Sequence, residues 1–191
     1  MSNLINLLLK TKKNHDNHLI ENLDLIKGYT QDEIKEIEKR YNLSIHGQFR
    51  EFLMIMGKCS GGLLFGNNLF IYSSYSKPTS YCFGLQKQQD WQDDNDIQDF
   101  KNQINNLNLV ENQFFEFAEN NGEIRERVYF LLTKNQDDII YCWNFEDEEN
   151  ESVTPFGTLF DFLCEYRRTY PCPIDANQPN VFKKITIGKL L

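Results

Sequence analysis

Features that would identify an exported or membrane-embedded protein are missing from this sequence. The longest uninterrupted apolar runs, such as residues 128–132, fall far short of the roughly 20 residues that a membrane-spanning helix needs. Residues 1–10 contain several leucines, but no basic region precedes them and no small-residue cleavage site follows. We therefore expect a cytoplasmic protein with no membrane partner.

Basic residues are few compared with acidic ones. The chain of 191 residues has 20 Lys and Arg against 28 Asp and Glu, which gives a net charge of −8. Because nucleic-acid affinity rests largely on Lys and Arg that neutralise phosphates, this balance argues against a nucleic-acid partner. It favours a basic protein partner, whose approach an acidic surface would steer.

Cysteine and histidine patterns typical of metal sites and catalytic triads are also missing. The 5 cysteines form no Cys-x-x-Cys pair, and this odd, scattered set suits reduced thiols better than a disulfide framework. His15 and His18 lie close in sequence, but no further Cys or His completes a zinc site. A Ser or Cys triad would have to use His46 as its base, and no Gly-x-Ser-x-Gly elbow occurs. We expect no cofactor, no metal and no enzymatic activity.

Helical periodicity is present in several segments. Thr30 and Glu33 have the spacing of a capping box, which predicts a helix that ends near Tyr41. A second helix should end at Gly57, and shorter or later helices show the same apolar spacing. The residues that we expect these helices to bury are Leu4, Leu7 and Leu8; Ile34, Ile37 and Tyr41; Phe49, Phe52, Leu53 and Met56; Ile97, Phe100, Ile104 and Leu107; and Phe156, Leu159, Phe160, Leu163 and Tyr166.

Runs of β-branched and aromatic residues predict strands. Residues 69–72 form one such run, and we expect residues 79–83 to pair with them. Residues 114–118, 128–132 and 139–143 are separated by turn-like sequences, which predicts an antiparallel meander. Helices segregated from such strands indicate an α+β fold, with one domain and an antiparallel or mixed twisted sheet flanked by helices.

Several segments resemble a known family. Residues 29–34 and 45–53, the latter Ile-His-Gly-Gln-Phe-Arg-Glu-Phe-Leu, followed by Gly61-Gly62, resemble the opening helix, short aromatic helix and glycine turn of the SUKH superfamily, also called the Smi1/Knr4-like family. Residues 128–132, 139–143 and 146–149 resemble its strand, strand-to-Trp and acidic-loop series, and residues 156–163 resemble its closing helix. The sequence departs from the pattern where His46 replaces the usual proline and where Cys59-Ser60 precedes the glycines in place of the usual Asn.

The resemblance covers residues 29–168, so residues 1–28 and 169–191 are predicted to be extensions of a SUKH-like domain. It implies a protein-binding function. Many bacterial members are immunity proteins that neutralise secreted polymorphic toxins, often nucleases, whereas fungal relatives regulate cell-wall synthesis and signalling. We expect an immunity protein, monomeric or weakly dimeric, that blocks a basic cognate toxin sterically and electrostatically; the alternative is a regulatory scaffold.

Two acidic clusters supply the candidate partner-binding residues. In one interpretation they imitate nucleic acid and fill a basic cleft of the toxin, where desolvated charge pairs bind strongly. In the other they form a solvated helix face and a solvated loop. Trp91 is either an interface anchor or a partly buried cover residue. The candidates are Trp91, Asp93, Asp94, Asp96, Glu146, Asp147, Glu148 and Glu149.

Overall fold

The chain folds into helices that pack on an antiparallel sheet. A computed structural model describes residues 2–11, 21–64, 69–71, 82–83, 102–109, 114–120, 127–132, 137–144, 152–169 and 190–191. The helices are α1 (Asn3–Lys10), α2 (Gln31–Tyr41), α3 (Gly47–Met56) and α4 (Leu159–Thr169), with a 3-10 turn at Leu23–Leu25 and a helical stretch at 102–106. The strands are β1 (Leu69–Ile71), β2 (Cys82–Phe83), β3 (Phe114–Asn120), β4 (Arg127–Leu132), β5 (Ile139–Asn144) and β6 (Ser152–Thr158). The predicted α+β fold is confirmed.

Every described strand pairing is antiparallel. The four longer strands lie in the order β3-β4-β5-β6, and both short strands pair with the outer edge of β3. The prediction that residues 79–83 pair with residues 69–72 is therefore wrong. Ile71 lies opposite Ala118, whereas Cys82 lies opposite Phe115, because β1 and β2 occupy successive parts of one edge.

Both faces of the sheet are apolar. Along β4, Tyr129 and Leu131 join the core on the helix side, whereas Phe130 and Leu132 join a second cluster on the opposite side. Successive side chains of a strand point to opposite faces, so a sheet covered on both faces needs an uninterrupted apolar run. The second cluster includes Ile104 from the helical stretch at 102–106.

Phe156 lies in strand β6, which was not predicted, so the prediction that it belongs to the last helix is wrong. Thr158 and Asp161 cap each other: the Asp161 amide donates to Thr158 Oγ1 at 3.2 Å, and the Thr158 amide donates to Asp161 Oδ2 at 3.1 Å. This box starts α4 at Leu159 and leaves Phe156 in the strand, 41% exposed. Pro155 is tolerated because β6 pairs only with β5 in the described sheet.

The N-terminal helix is part of the main core. Leu4 and Leu8 are fully buried in α1, which packs against α4, and the Ser2 side chain accepts a hydrogen bond from the first turn. Leu7 was expected on the buried face but is 37% exposed. Leu4 and Leu8 are four residues apart and share one helical face, so Leu7 lies at its margin.

Asp138 joins three elements at one end of the sheet. Its Oδ1 accepts a hydrogen bond from the Gln48 amide at 2.7 Å, and its carbonyl accepts one from the Leu159 amide at 2.8 Å. The Gln48 side chain then accepts from the Phe160 amide at 2.8 Å. Gly47 has a φ of +52°, and a Cβ there would lie 2.0 Å from Asp138 Oδ1. These bonds satisfy first-turn amides of α3 and α4 that have no partner within their helices.

Replacement of Asp138 should destabilise the fold more than replacement of its neighbour. Asp138→Ala leaves the start of α3 uncapped and should lower the free energy of unfolding by about 1–2 kcal/mol, the usual cost of a lost N-cap. Asp137 is exposed and serves as the matched control. Its Oδ2 accepts a long hydrogen bond from the Tyr141 hydroxyl, at 3.4 Å, so Asp137→Ala should lower the free energy of unfolding by less than about 1 kcal/mol. Urea unfolding measures both, and equal effects would contradict the role of Asp138.

Arg167 in α4 forms a buried ion pair. Its side chain is 5% exposed; Nη2 lies 2.8 Å from Glu21 Oε1, and Nη1 donates to the Leu63 carbonyl at 2.9 Å. Arg168 is 46% exposed and pairs with Glu165 one turn away. Buried Arg167 therefore ties α4 to the segments before α2 and after α3.

The adjacent arginines should differ sharply in their effect on stability. Arg167→Ala leaves Glu21 and the Leu63 carbonyl without this partner and should cost about 3 kcal/mol of unfolding free energy. Arg168→Ala removes an exposed pair and should cost less than about 1 kcal/mol. Thermal and urea melts of the two variants make the comparison, and a small loss for Arg167→Ala would show that the buried pair is not stabilising.

Candidate functional site

The predicted partner-binding residues lie outside the described residues. The first cluster falls within residues 84–100 and the second within residues 145–151. The structure therefore does not test whether these side chains face a common surface. They are Trp91, Asp93, Asp94, Asp96, Glu146, Asp147, Glu148 and Glu149.

The described strands show where the segments that carry the two clusters leave the sheet. Asn144 lies opposite Ser152, so residues 145–151 connect two antiparallel neighbours, β5 and β6, at one end of the sheet. Phe83 lies opposite Phe114, the first residue of β3, so the segment with the first cluster leaves the sheet from the other end. The six residues of β4 separate the two ends by about 17 Å at the usual strand rise.

A shallow cleft lies beside the Asp138 junction. Its volume is about 20 Å³, which is room for one water molecule and far below the several hundred Å³ of a small-molecule site. His46 contributes to it, and His46 Nε2 is buried without a hydrogen-bond partner among the described residues. The residues around this cleft are Ser44, His46, Phe49, Leu131, Leu132, Asp137, Asp138 and Leu159.

Cys142, in β5, is poorly suited to nucleophilic chemistry. Burial raises the pKa of the Cys142 thiol, and this outweighs the opposing effects of Arg127 and Tyr129. A raised pKa reduces the thiolate fraction, which is the reactive form. Within the described ranges, no three His, Cys, Asp or Glu side chains lie close enough to hold a metal ion. His15 and His18 lie outside those ranges.

A second site, which the sequence analysis did not predict, holds residue 190 against α2. We call it the Leu190 pocket, formed by Tyr29, Arg40 and Tyr41. The Tyr29 hydroxyl accepts a hydrogen bond from the Leu190 amide at 3.0 Å, and the Tyr41 hydroxyl donates to the Leu190 carbonyl at 2.8 Å. Arg40 Nη1 lies 3.4 Å from the same carbonyl. Leu190 is fully buried in the main core, and Leu191 packs against that core.

Tyr29 is the central residue of this pocket. Its amide donates to the Leu53 carbonyl at 2.8 Å, and Lys58 Nζ lies 4.9 Å from the centre of its ring. Burial raises the pKa of the Tyr29 hydroxyl, although its bond to Leu190 acts in the opposite direction. Lys58 also binds Glu33 at 2.6 Å and lowers the pKa of that carboxyl. Sequence spacing could not reveal the site, because 161 positions separate Tyr29 from Leu190.

No helix in the described ranges combines the length and apolarity that crossing a bilayer requires.

Comparisons with known proteins give one result, a match to a protein family. No curated protein and no solved structure is significantly similar to the chain. The SMI1 / KNR4 family (SUKH-1) matches residues 28–165, which includes α2, α3, the described strands and most of α4. This match spans well over half of the sequence, and the chain therefore belongs to the SMI1 / KNR4 family (SUKH-1).

Proposed function

We propose that this protein is an immunity protein that binds a cognate toxin and neutralises it by steric and electrostatic blockade. The observation that carries the proposal is the family match over residues 28–165, because SUKH-1 members are commonly immunity proteins for polymorphic toxins. The net charge of −8 suits a basic toxin, such as a nuclease whose active site binds phosphates. The protein acts by binding and needs no catalytic group of its own.

The acidic connection between β5 and β6 is the proposed centre of the toxin-binding surface. Residues 145–151 join two strands that pair from Asn144–Ser152 to Ile139–Thr158, so both ends of the connection are held by a sheet. A short connection with fixed ends loses little conformational entropy on binding. Glu146, Asp147, Glu148 and Glu149 would then face basic residues of the toxin.

The cluster that follows β2 is the proposed second contact. Asp93, Asp94 and Asp96 would extend the acidic surface, and Trp91 would anchor it, because buried aromatic side chains dominate many interfaces. This cluster and the β5–β6 connection join the sheet at opposite ends, so the two are proposed to contact separate parts of the toxin.

Identification of the partner tests the function itself. The intact protein is used to capture its partner from cells of its own species, and the partner is then expressed with and without it. A toxin whose lethality this chain suppresses in a one-to-one complex supports immunity. Several wall-synthesis or signalling proteins, with no toxin among them, would contradict immunity and support the regulatory scaffold.

Charge reversal tests the binding surface with three variants of equal net charge. Asp93, Asp94 and Asp96 are changed to Lys in one variant, and Asp147, Glu148 and Glu149 in a second. The control variant changes Asp24, Asp32 and Glu36 to Lys; these acids are exposed and belong to neither cluster. Reversal within a cluster should weaken toxin binding by about tenfold or more, because attractive charge pairs become repulsive.

The control variant separates local contacts from overall charge. Its affinity should fall by less than about threefold, and added salt should reduce the difference between it and the cluster variants. Equal losses in all three variants would mean that only net charge matters. Unchanged affinity in both cluster variants would refute the proposed surface while leaving the immunity function to the partner experiment.

Trp91→Ala tests the proposed anchor separately. Removal of a buried interface tryptophan costs about 2 kcal/mol or more, so affinity for the toxin should fall by about thirtyfold. Trp91→Phe keeps an aromatic ring, so its affinity for the toxin should fall less. Isothermal titration calorimetry measures both changes. Unchanged affinity in Trp91→Ala would assign Trp91 to a cover role outside the interface.

A further inference from the structure

The Leu190 pocket contacts both the main chain and the side chain of the residue that it holds, as peptide-binding sites do. The amide and the carbonyl of Leu190 both bond to side chains, Tyr29 on one side and Tyr41 on the other, rather than to a neighbouring strand or helix. Its side chain is fully buried. Recognition therefore rests on one pair of main-chain groups and one aliphatic side chain. In peptide recognition, main-chain hydrogen bonds usually supply affinity, and pockets for side chains supply specificity.

Most groups that line the pocket are positioned without help from Leu190. Tyr29 is held by its amide bond to the Leu53 carbonyl, by Lys58 over its ring and by close contact with Gly57, where a Cβ would lie 2.9 Å from Tyr29 Cδ2. Tyr41 lies in the last turn of α2, whose other end is fixed by the Thr30–Glu33 capping box. A pocket held in this way can keep its shape when the occupant leaves, which is the preorganisation that a binding site requires.

The occupant is distant in sequence from the residues that hold it. Twenty residues separate Thr169, the last residue of α4, from Leu190. Because the occupant is part of the same chain, its docking is intramolecular, and an external peptide competes against a high effective concentration. An external peptide of equal intrinsic affinity therefore competes poorly with the chain's own segment.

We propose that the Leu190 pocket is a peptide-binding site that the chain fills with its own residues 190–191, and that an extended leucine-containing segment of a partner protein competes for it. The partner segment presents one leucine whose amide reaches the Tyr29 hydroxyl and whose carbonyl reaches the Tyr41 hydroxyl. Bound residues 190–191 keep the pocket closed until such a segment is present at high local concentration. This proposal does not depend on the identity of the toxin.

A peptide-binding assay with the full chain tests the proposal. The probe is a fluorescein-labelled peptide of residues 185–191, Ile-Thr-Ile-Gly-Lys-Leu-Leu, followed by anisotropy. Leu190→Asp places a charge in the apolar pocket and should release the chain's own segment. The probe should then bind this variant at least tenfold more tightly than the unaltered chain. Leu9→Asp is the matched control, since Leu9 is 39% exposed, and it should bind like the unaltered chain.

Two further changes test the contacts themselves. Addition of Tyr41→Phe to the Leu190→Asp chain removes one hydroxyl and keeps the ring, and it should weaken probe binding by about fivefold, the effect of one net hydrogen bond. A probe with Asp at the position of Leu190 should not bind. Equal binding to the unaltered and Leu190→Asp chains, or no effect of Tyr41→Phe, would overturn the proposal.

The folded state of each variant is checked by circular dichroism. If Leu190→Asp does not fold, Leu190→Ala takes its place, because it weakens docking without introducing a charge. A smaller gain in probe affinity is then expected. Unfolding of both variants would show that residues 190–191 are an inseparable part of the core and would also overturn the proposal.

Discussion

The whole structure depends on a sheet that must be covered on both faces. Phe115, Phe117 and Tyr129 face the helices, whereas Phe114 and Phe130 face the opposite side, and all five are buried. Aromatic side chains bury large areas and pack edge to face, as Phe114 and Phe130 do at 5.1 Å between ring centres. A β-bulge at Phe117 turns this residue and Ala118 to the same side. The helices are therefore required parts of the fold, since an uncovered aromatic face would be unstable in water.

A few side chains at the ends of helices connect the two layers. Asp138 accepts from the Gln48 amide of α3, the Gln48 side chain accepts from the Phe160 amide of α4, and Thr158 with Asp161 determines where α4 begins. Arg167 closes the opposite end of α4 against Glu21 and Leu63. Each connection pairs polar groups that the helices and strands themselves leave without a partner, which makes helix orientation specific as well as stable.

This arrangement suits a protein that acts by binding. The cleft beside His46 holds about one water molecule, so it offers no room for a substrate. The proposed binding surfaces are instead a connection between strands and the Leu190 pocket. A paired sheet holds the two ends of such a connection in place.

The helices and the meander could be predicted from the sequence because their signals are local. The capping box at Thr30 and the apolar spacing of α2 and α3 require only neighbouring residues. Apolar runs mark β4, β5 and, interrupted by Glu116, β3. The family resemblance around residues 45–53 was confirmed by the match over residues 28–165. The candidate acidic residues remain predictions, since charge alone does not place a side chain on a surface.

The sequence by itself determined most of the helices, the strands β3 to β5, the sign of the net charge and the family. Tertiary structure decided the rest. Pro155 and Gly157 discourage a strand in isolation, yet β6 forms because β5 offers a free edge and a bulge at Phe156 absorbs the mismatch. The pairing of β1 and β2 with β3, and the docking of Leu190 between Tyr29 and Tyr41, join residues that are far apart in the chain. Such contacts form only when the folded core brings distant groups together, so no local pattern records them.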